Sequence, residues 1–542
     1  MNLKINLQLC LCLFMVLINC IFLKAQKKNK KIKPNIVFFL VDDLGWSDLG
    51  CYGSEFYETP NIDSLATQGI RFTDAYSACH VCSPSRASIL TGKYPASLNL
   101  TDWLTGRPSM PYDRLKGPKI NQHLPYNETT IAEILKDLGY KTGIFGKWHL
   151  GEDPSNPMAH GFDIHLPNWA KGWPNKGYFA PFGLDGFDDS NPGEYLTDKL
   201  TSEAIKYIEK NKENPFFIYV SYFAVHDPIQ GRKDLVKKYK EKLKDINIST
   251  NLPFILEGNP DKLMNSSREE LIKKIKSPNY SNKYQTFDED LVLIKQNQDN
   301  VEFAAMIESV DESLGKILKK IKDLNLDKNT IIFFYSDNGG MAAMNGTPWT
   351  KLKRSDLNKA FSTSNLPLRG AKGWLYEGGI RVPLIIKHPK KGKMGLVSNL
   401  PVSSVDMFPT ILSMIAPEIK INDDIEGIDL SPVIKGGNIE RGPIYWHFPH
   451  YSNHGMQSPG GAIRDGDFKL IEYFENGTVQ LFNLKHDIGE LKDISKVEIE
   501  KTNELKNKLN LWREKNNAKM MKKNSNYNKN FNRNTNPWLN KK

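Results

Sequence analysis

The run Asn35-Ile-Val-Phe-Phe-Leu-Val41 places apolar, largely β-branched or aromatic side chains on both faces of an extended chain, with no polar alternation. A strand of this kind is stable only when covered on both sides, which is the situation of a parallel sheet sandwiched between helices. The run stops at Asp42 and Asp43, so two carboxylates are delivered just past its carboxyl end.

The same unit recurs along the chain. Thr130, a helix N-cap with Glu133 three positions on, precedes Ile131, Ile134, Leu135 and Leu138 at helical spacing before Gly139. A short strand, 142–145, follows and leads into Gly146-Lys147-Trp148-His149. A helix near 197–210 precedes the apolar strand 216–222 and then His226-Asp227, and Ile307, Val310, Leu314, Ile317, Leu318 and Ile321 mark an amphipathic helix before the strand 330–335 and Ser336-Asp337-Asn338-Gly339-Gly340. Alternating helices and strands imply right-handed crossovers and a mostly parallel sheet. Open sheets of this type bind ligands outside the carboxyl ends of their strands. Asp42, Asp43, Lys147, His149, His226, Asp337 and Asn338 are therefore expected to converge. Each alone reads as a turn or cap residue; recurrence at four strand ends is what argues for a site.

With 542 residues the chain exceeds one minimal core, so a large α/β domain (26–440) with a smaller partner is expected. Residues 229–300, rich in Lys, Asn and Asp, read as an insertion or lid. Beyond 440 the texture changes to short alternating runs such as 462–471 and 479–483, which predict a small antiparallel sheet with a helix over 497–514, a C-terminal α+β subdomain spanning 441–518. The net charge of +11 is more than covered by Lys24, Lys27, Lys28, Lys30, Lys31 and Lys33 together with the seven basic residues of 519–542, a segment without acids. The folded middle is close to neutral, so the basic segments read as solvated ends rather than as a nucleic-acid surface. Lys4 followed by an apolar stretch to Leu23 has the layout of a signal peptide, residues 1–25, and implies an exported protein, periplasmic, secreted or at the cell surface of a bacterium. Leu17-Ile18-Asn19-Cys20 leaves a lipid anchor open as the one membrane attachment. Past the signal only Cys51, Cys79 and Cys82 remain; counting alone leaves open a disulfide from Cys82 to either of the others, or a free thiol with a chemical role.

The most specific segment is Cys82-Ser-Pro84-Ser-Arg86-Ala-Ser-Ile-Leu90-Thr-Gly92. It resembles the signature of the formylglycine-dependent sulfatases, in which a Cys-x-Pro-x-Arg core directs oxidation of the cysteine to formylglycine. Asp42-Asp43-Leu44-Gly45, Gly146-Lys147-Trp148-His149-Leu150-Gly151, His226-Asp227-Pro228, Ser336 to Gly340, and Lys372 ahead of Tyr376-Glu-Gly-Gly-Ile-Arg-Val-Pro383 follow in that family's order. The resemblance implies an alkaline-phosphatase-like α/β fold with a smaller C-terminal domain. It also implies a modifying partner, a formylglycine-generating or anaerobic sulfatase-maturating enzyme.

What it implies chemically agrees with the residue types. Asp42, Asp43, Asp337 and Asn338 are hard oxygen donors suited to calcium, less to magnesium and poorly to zinc, with residue 82 as a further ligand by resemblance. Pro84 reads as the first residue of a helix ending near Gly92, whose positive end faces the anion beside residue 82. Arg86 is implied to hold residue 82 and its metal, Lys147 and Lys372 to grip sulfate oxygens, and His226 or Lys372 to protonate the leaving alcohol. His149 is implied to deprotonate the second hydroxyl of the formylglycine hydrate, so that the aldehyde re-forms and sulfate leaves. Trp103, Arg107, His447 and His450 are candidates for contacting a sulfated glycan, with packing between domains as the competing reading; Trp446, His80 and His160 are similar. Export and resemblance to polysaccharide-degrading sulfatases favour ulvan, carrageenan or glycosaminoglycan substrates. The rival readings are a phosphatase or phosphodiesterase of the same superfold, against which the Cys82-Pro84-Arg86 core argues, and a glycan-binding relative without activity.

Overall fold

The computed structural model describes residues 33–246, 253–261, 270, 273, 291–343, 361–389, 392, 394–455 and 457–531. The expected signal at 1–25 and the end of the basic tail at 532–542 lie outside them.

The strand Asn35–Val41 lies near the middle of an eight-stranded sheet, with Thr330–Ser336 parallel on one side and Phe216–Ser221 parallel on the other. Lys141–Gly146 and Ile164–Leu166 continue the parallel order outward beyond Phe216–Ser221. On the opposite flank come Leu384–Lys387, the single antiparallel member, then Ile70–Phe72 and Leu396–Ser398. Along the central strand Val37, Phe39 and Val41 enter one core, and Ile36, Phe38 and Leu40 the other; all six are fully buried. Each such side chain contributes about 1.5–3 kcal/mol relative to exposure, which is why this run has no polar face.

Helices Pro60–Gln68, Leu196–Asn211, Lys233–Asp245 and Val301–Asp323 cover the first core. Cys82–Thr91, Ile131–Asp137 and Met407–Ile415 cover the second. Thr130 and Glu133 form the full capping box that their spacing predicts. Part of the expected lid behaves differently: helix Lys233–Asp245 packs Leu235, Val236 and Tyr239 into the first core. It is a covering helix of the main domain, placed there by its own apolar stripe. Strands Phe254–Gly258 and Leu291–Lys295 pair antiparallel, and residues 247–252, 262–269, 271–272 and 274–290 of the predicted insertion lie outside the described residues.

The C-terminal sheet, Ile444–Phe448, Gly460–Asp465, Phe468–Tyr473 and Val479–Asn483, is antiparallel throughout and is covered by helix Ile499–Lys515. The described part of the basic tail keeps its lysine side chains exposed but is docked through its backbone and Asn524: Lys522–Lys523 pairs with Leu115–Lys116, and Asn524 donates to the carbonyls of Met110 and Asp113. These backbone acceptors outweigh the tail's charge.

The segment carrying Lys372 is tied to this second sheet by buried charges. Lys469 lies 2.9 Å from Glu377 and 2.8 Å from Glu490, and Glu490 accepts the Glu377 backbone N–H at 2.6 Å. Removing the ammonium leaves two desolvated carboxylates facing each other. Lys469→Met is expected to lower unfolding stability by about 3–5 kcal/mol in urea titration; a loss below about 1 kcal/mol would show that the network tolerates its absence.

Candidate active site

Asp42 and Asp43 leave the central strand in a fixed geometry. Asp42 donates its N–H to Ala224 O and accepts from Val225 N–H at its carbonyl, while Asp43, at φ 62°, donates its N–H to Asp337 Oδ1. Asp337 and Asn338 follow the adjacent strand, so carboxylates from neighbouring strand ends face one another. The Asn338 amide donates to Asp43 Oδ1 at 2.7 Å. Its Oδ1 is buried and accepts no hydrogen bond, and neither does the buried Asp42 Oδ1, which lies 3.5 Å from the Arg86 guanidinium.

Three cations compensate. Arg86 donates from Nε to Asp337 Oδ2 at 2.8 Å and from Nη1 to Ser221 Oγ at 2.6 Å and to the Lys147 carbonyl at 3.2 Å. Lys147 Nζ lies 2.7 Å from Asp42 Oδ2, and Lys372 Nζ 2.8 Å from Asp43 Oδ1. The balance is uneven. Burial, and then the charge of Asp337, push Asp42 well above the usual carboxylate range despite Lys147. Asp43 and Asp337 are buried equally but fall below that range, because Lys372 and Arg86 respectively lead the charges that outweigh desolvation.

Cys82 opens its helix, with Val81 as N-cap and Gly92 closing it in the left-handed region, so Pro84 is the third helical residue and the helix starts two residues before the position predicted. This puts Sγ in the first turn, beside the unpaired N–H groups that favour an anion. All three cysteines of the described residues are free, which removes the disulfide alternative. Ligand atoms of Asp42, Cys82 and Asp337 lie within 4.8 Å of one another, as do those of Asp43, His226 and Asp227.

His149 Nδ1 is 3.2 Å from Cys82 Sγ, and Nε2 is 2.8 Å from the Leu104 carbonyl. A carbonyl only accepts, so Nε2 carries the proton and Nδ1 turns its lone pair to residue 82. Burial, then the Lys147 charge, keep this imidazole neutral, well below its ordinary pKa. His226 goes the other way: burial and Lys372 depress it, but Asp227, at 2.7 Å from Nδ1, with Asp43 and Asp42 bring it up to about 9.

The sequence of residues 34–416 matches the profile of the sulfatase family. The chain belongs to the sulfatase family. Residues 371–517 of this sulfatase further match the C-terminal region described as that of N-sulphoglucosamine sulphohydrolase. A sulfatase of Formosa agariphila is 28% identical over 93% of this chain and 93% of its own. An ulvan-active sulfatase of the same organism is 28% identical, covering 90% of this chain and 82% of its own. The crystal structure of Ps i-CgsB in complex with k-i-k-neocarrahexaose, 28% identical, covers 89% of this chain and 92% of that one with a TM-score of 0.65. The protein is a sulfuric ester hydrolase with the alkaline-phosphatase-like arrangement described above.

The expected substrate contacts separate in this sulfatase. Trp103 borders a cavity next to His149. Arg107 does not point to a ligand: both its terminal nitrogens bond Asp113, at 2.6 and 3.0 Å. His447 donates from Nε2 to the Lys519 carbonyl and packs on Phe474, and His450 meets Thr101 Oγ1 at 2.8 Å. Trp446 donates to the Ser77 carbonyl, the His80 ring is tilted against Phe448, and His160 lies between Trp148 and Tyr126. Each of these side chains is engaged by partners within the chain. Ser221, which orients Arg86, and His454, whose charge environment is set by Lys372 and Asp43, were not singled out by the sequence. Ser221 is legible as a strand-end residue, whereas His454 lies in a loop of the second sheet with no motif around it.

Gly172 is pressed against the His149 ring. A Cβ there would fall 2.4 Å from His149 Cε1, while His149 N–H bonds the Ala170 carbonyl. Gly172→Ala is therefore expected to displace the imidazole from residue 82 and to lower kcat by about 10–100-fold with little change in thermal unfolding. Unaltered kcat would show that the ring relaxes without losing its alignment.

Proposed function

We propose that this sulfatase releases sulfate from a sulfated polysaccharide or its oligosaccharides, using Cys82 oxidised to formylglycine and a calcium ion held by Asp42, Asp43, Asp337 and Asn338. The observation that carries the reading is the unpaired Cys82 in a helix first turn, grouped with Asp42 and Asp337 and facing the lone pair of a neutral His149. The donor set suits a hard divalent cation: buried oxygens, an orphaned Asn338 Oδ1, and an Asp42 whose proton affinity is raised by burial and then by the charge of Asp337. When bound, the ion polarises sulfate oxygens and acidifies an oxygen nucleophile beside it. Formylglycine supplies, as its hydrate, two hydroxyls on one carbon, one to displace the alcohol from sulfur and one to release sulfate after losing its proton.

The chain's own residues do the rest. Lys147 and Lys372 neutralise the oxygens of the ester, and the first-turn N–H groups at residue 82 favour the same negative charge. His226 holds a proton at neutral pH and gives it to the leaving oxygen; a cation among Asp42 and Asp43 draws its pKa of about 9 back towards neutrality, where proton transfer is more effective. Lys372, raised further and clamped on Asp43, is the weaker donor. His149 Nδ1 takes the proton from residue 82. Because Cys82 is 3% exposed, its modifying enzyme has to reach it before folding is complete. The glycan class is supported by the ulvan-active relative and by the neocarrahexaose complex of Ps i-CgsB. Export, expected from residues 1–25, brings the enzyme to such polymers.

Mass spectrometry across residue 82 is expected to give the aldehyde mass, and Cys82→Ala to reduce sulfate release by about four orders of magnitude or more. An unmodified thiol in fully active protein would overturn the nucleophile. Removing calcium with a selective chelator is expected to abolish activity and lower the melting temperature, with calcium restoring both better than magnesium. Full activity in the chelated protein would overturn the metal.

A further inference from the structure

Beside His149 the surface opens into a cavity of about 770 Å³, within the range of about 300–1,000 Å³ common for ligand sites. Of the catalytic cluster only His149 lines it; Asp42, Cys82, Lys147, His226 and Lys372 do not. Its walls come from four segments: Trp103-Leu104-Thr105, the stretch Gln122 to Tyr126, the stretch Gly151 to Ser155 with Glu152 and Asp153, and the strap from Ala170 to Trp173.

Two features of this lining point to a sugar. First, it gathers exposed aromatic surface. Trp173 is 42% and Tyr126 51% exposed, and Trp173 is the one tryptophan among the exposed large hydrophobic residues described. Trp103 is held by its Nε1–H bond to Asn453 Oδ1, and the Trp173 carbonyl by the Trp169 indole N–H. Such faces take the C–H side of a pyranose, while the carboxylates of Glu152 and Asp153 accept from its hydroxyls. Second, exposed Lys171 places its ammonium over the Trp169 ring at 5.5 Å, with no carboxylate paired to it among the described residues, which leaves a cation for an anionic substituent. The floor is chemically coupled to the reaction, because Leu104 and the Gly172 strap are the same segments that orient the His149 ring.

A substrate with its sulfur at residue 82 reaches His149 with the ring that bears the ester. We infer that the cavity bounded by Trp103, Tyr126, Lys171 and Trp173 is a subsite for the sugar unit joined to the sulfated one, and that its cation selects an anionic group on that neighbour. This rests on the reading of the protein as a glycan sulfatase. The enzyme therefore recognises a chain of sugars, not an isolated sugar sulfate, and Trp173 and Lys171 determine specificity.

The test compares kcat/KM for sulfated oligosaccharides prepared from ulvan and from carrageenan with kcat/KM for p-nitrophenyl sulfate, which has no neighbouring sugar. Trp173→Ala and Lys171→Met, both at exposed positions, are expected to lower the ratio of oligosaccharide to aryl sulfate by about tenfold or more, through KM rather than kcat. An unchanged ratio, or equal losses on both substrates, would overturn the subsite while leaving the sulfatase reading intact. Hydrolysis of the aryl ester without any activity on either oligosaccharide set, in the unsubstituted enzyme, would overturn it as well. Absence of sulfate release from every ester by protein carrying the aldehyde would instead bring down the parent reading.

Discussion

Three carboxylates meet at the ends of two adjacent strands, and none of them reaches water. Charges so placed are costly unless cations stand against them, and the architecture around Asp42, Asp43 and Asp337 consists largely of the means to bring those cations in. Arg86 arrives on the helix that begins at Cys82, Lys147 from the end of the strand next but one to Asn35–Val41, and Lys372 from the segment between strands Thr330–Ser336 and Leu384–Lys387 of the large sheet. The compensation is incomplete. Asp42 is left with a high proton affinity and Asn338 with an unsatisfied oxygen, which is the electrostatic condition of a site prepared for one more positive charge.

The same elements that satisfy the charges also set the proton traffic. Arg86 is anchored by Ser221 and by the Lys147 carbonyl, and Gly146 makes that approach feasible, since a Cβ there would fall 1.8 Å from the Ser221 carbonyl oxygen. His149, next but one to Lys147, occupies the left-handed region at φ 58°, a conformation uncommon outside glycine and typical of residues whose direction matters more than their comfort. Two histidines thereby acquire opposite characters. One, buried beside a lysine, is kept neutral; the other, buried among carboxylates, keeps its proton at neutral pH.

The C-terminal sheet is part of this design rather than an appendage. Glu377, Lys469 and Glu490 join it to the Lys372 segment, and Arg464 with Arg381 bridges it to Asp74 near the nucleophile helix. Its loop brings His454 and Asn453 to the edge of the catalytic region, the latter holding Trp103 at the mouth of the cavity.

The sequence alone determined the doubly covered sheet, because a strand such as Asn35–Val41 has no face that water tolerates. It also determined which strand ends bring carboxylates and cations together and, through the Cys82-Pro84-Arg86 core, the sulfatase family. Those are local properties, written in periodicity and motif. Partners between side chains far apart in the chain are not written there. Arg107 and His450 have the same residue types as ligand-binding groups, and only the tertiary structure gives them to Asp113 and Thr101. The apolar stripe that makes Lys233–Asp245 a covering helix is short and sits among lysines, so its burial depended on the groove offered by the helix Val301–Asp323. The tautomer of His149 and the cavity beside it were likewise decided by tertiary contacts, because a carbonyl at Leu104 and a glycine at Gly172 carry no signal until the fold sets them against the same ring.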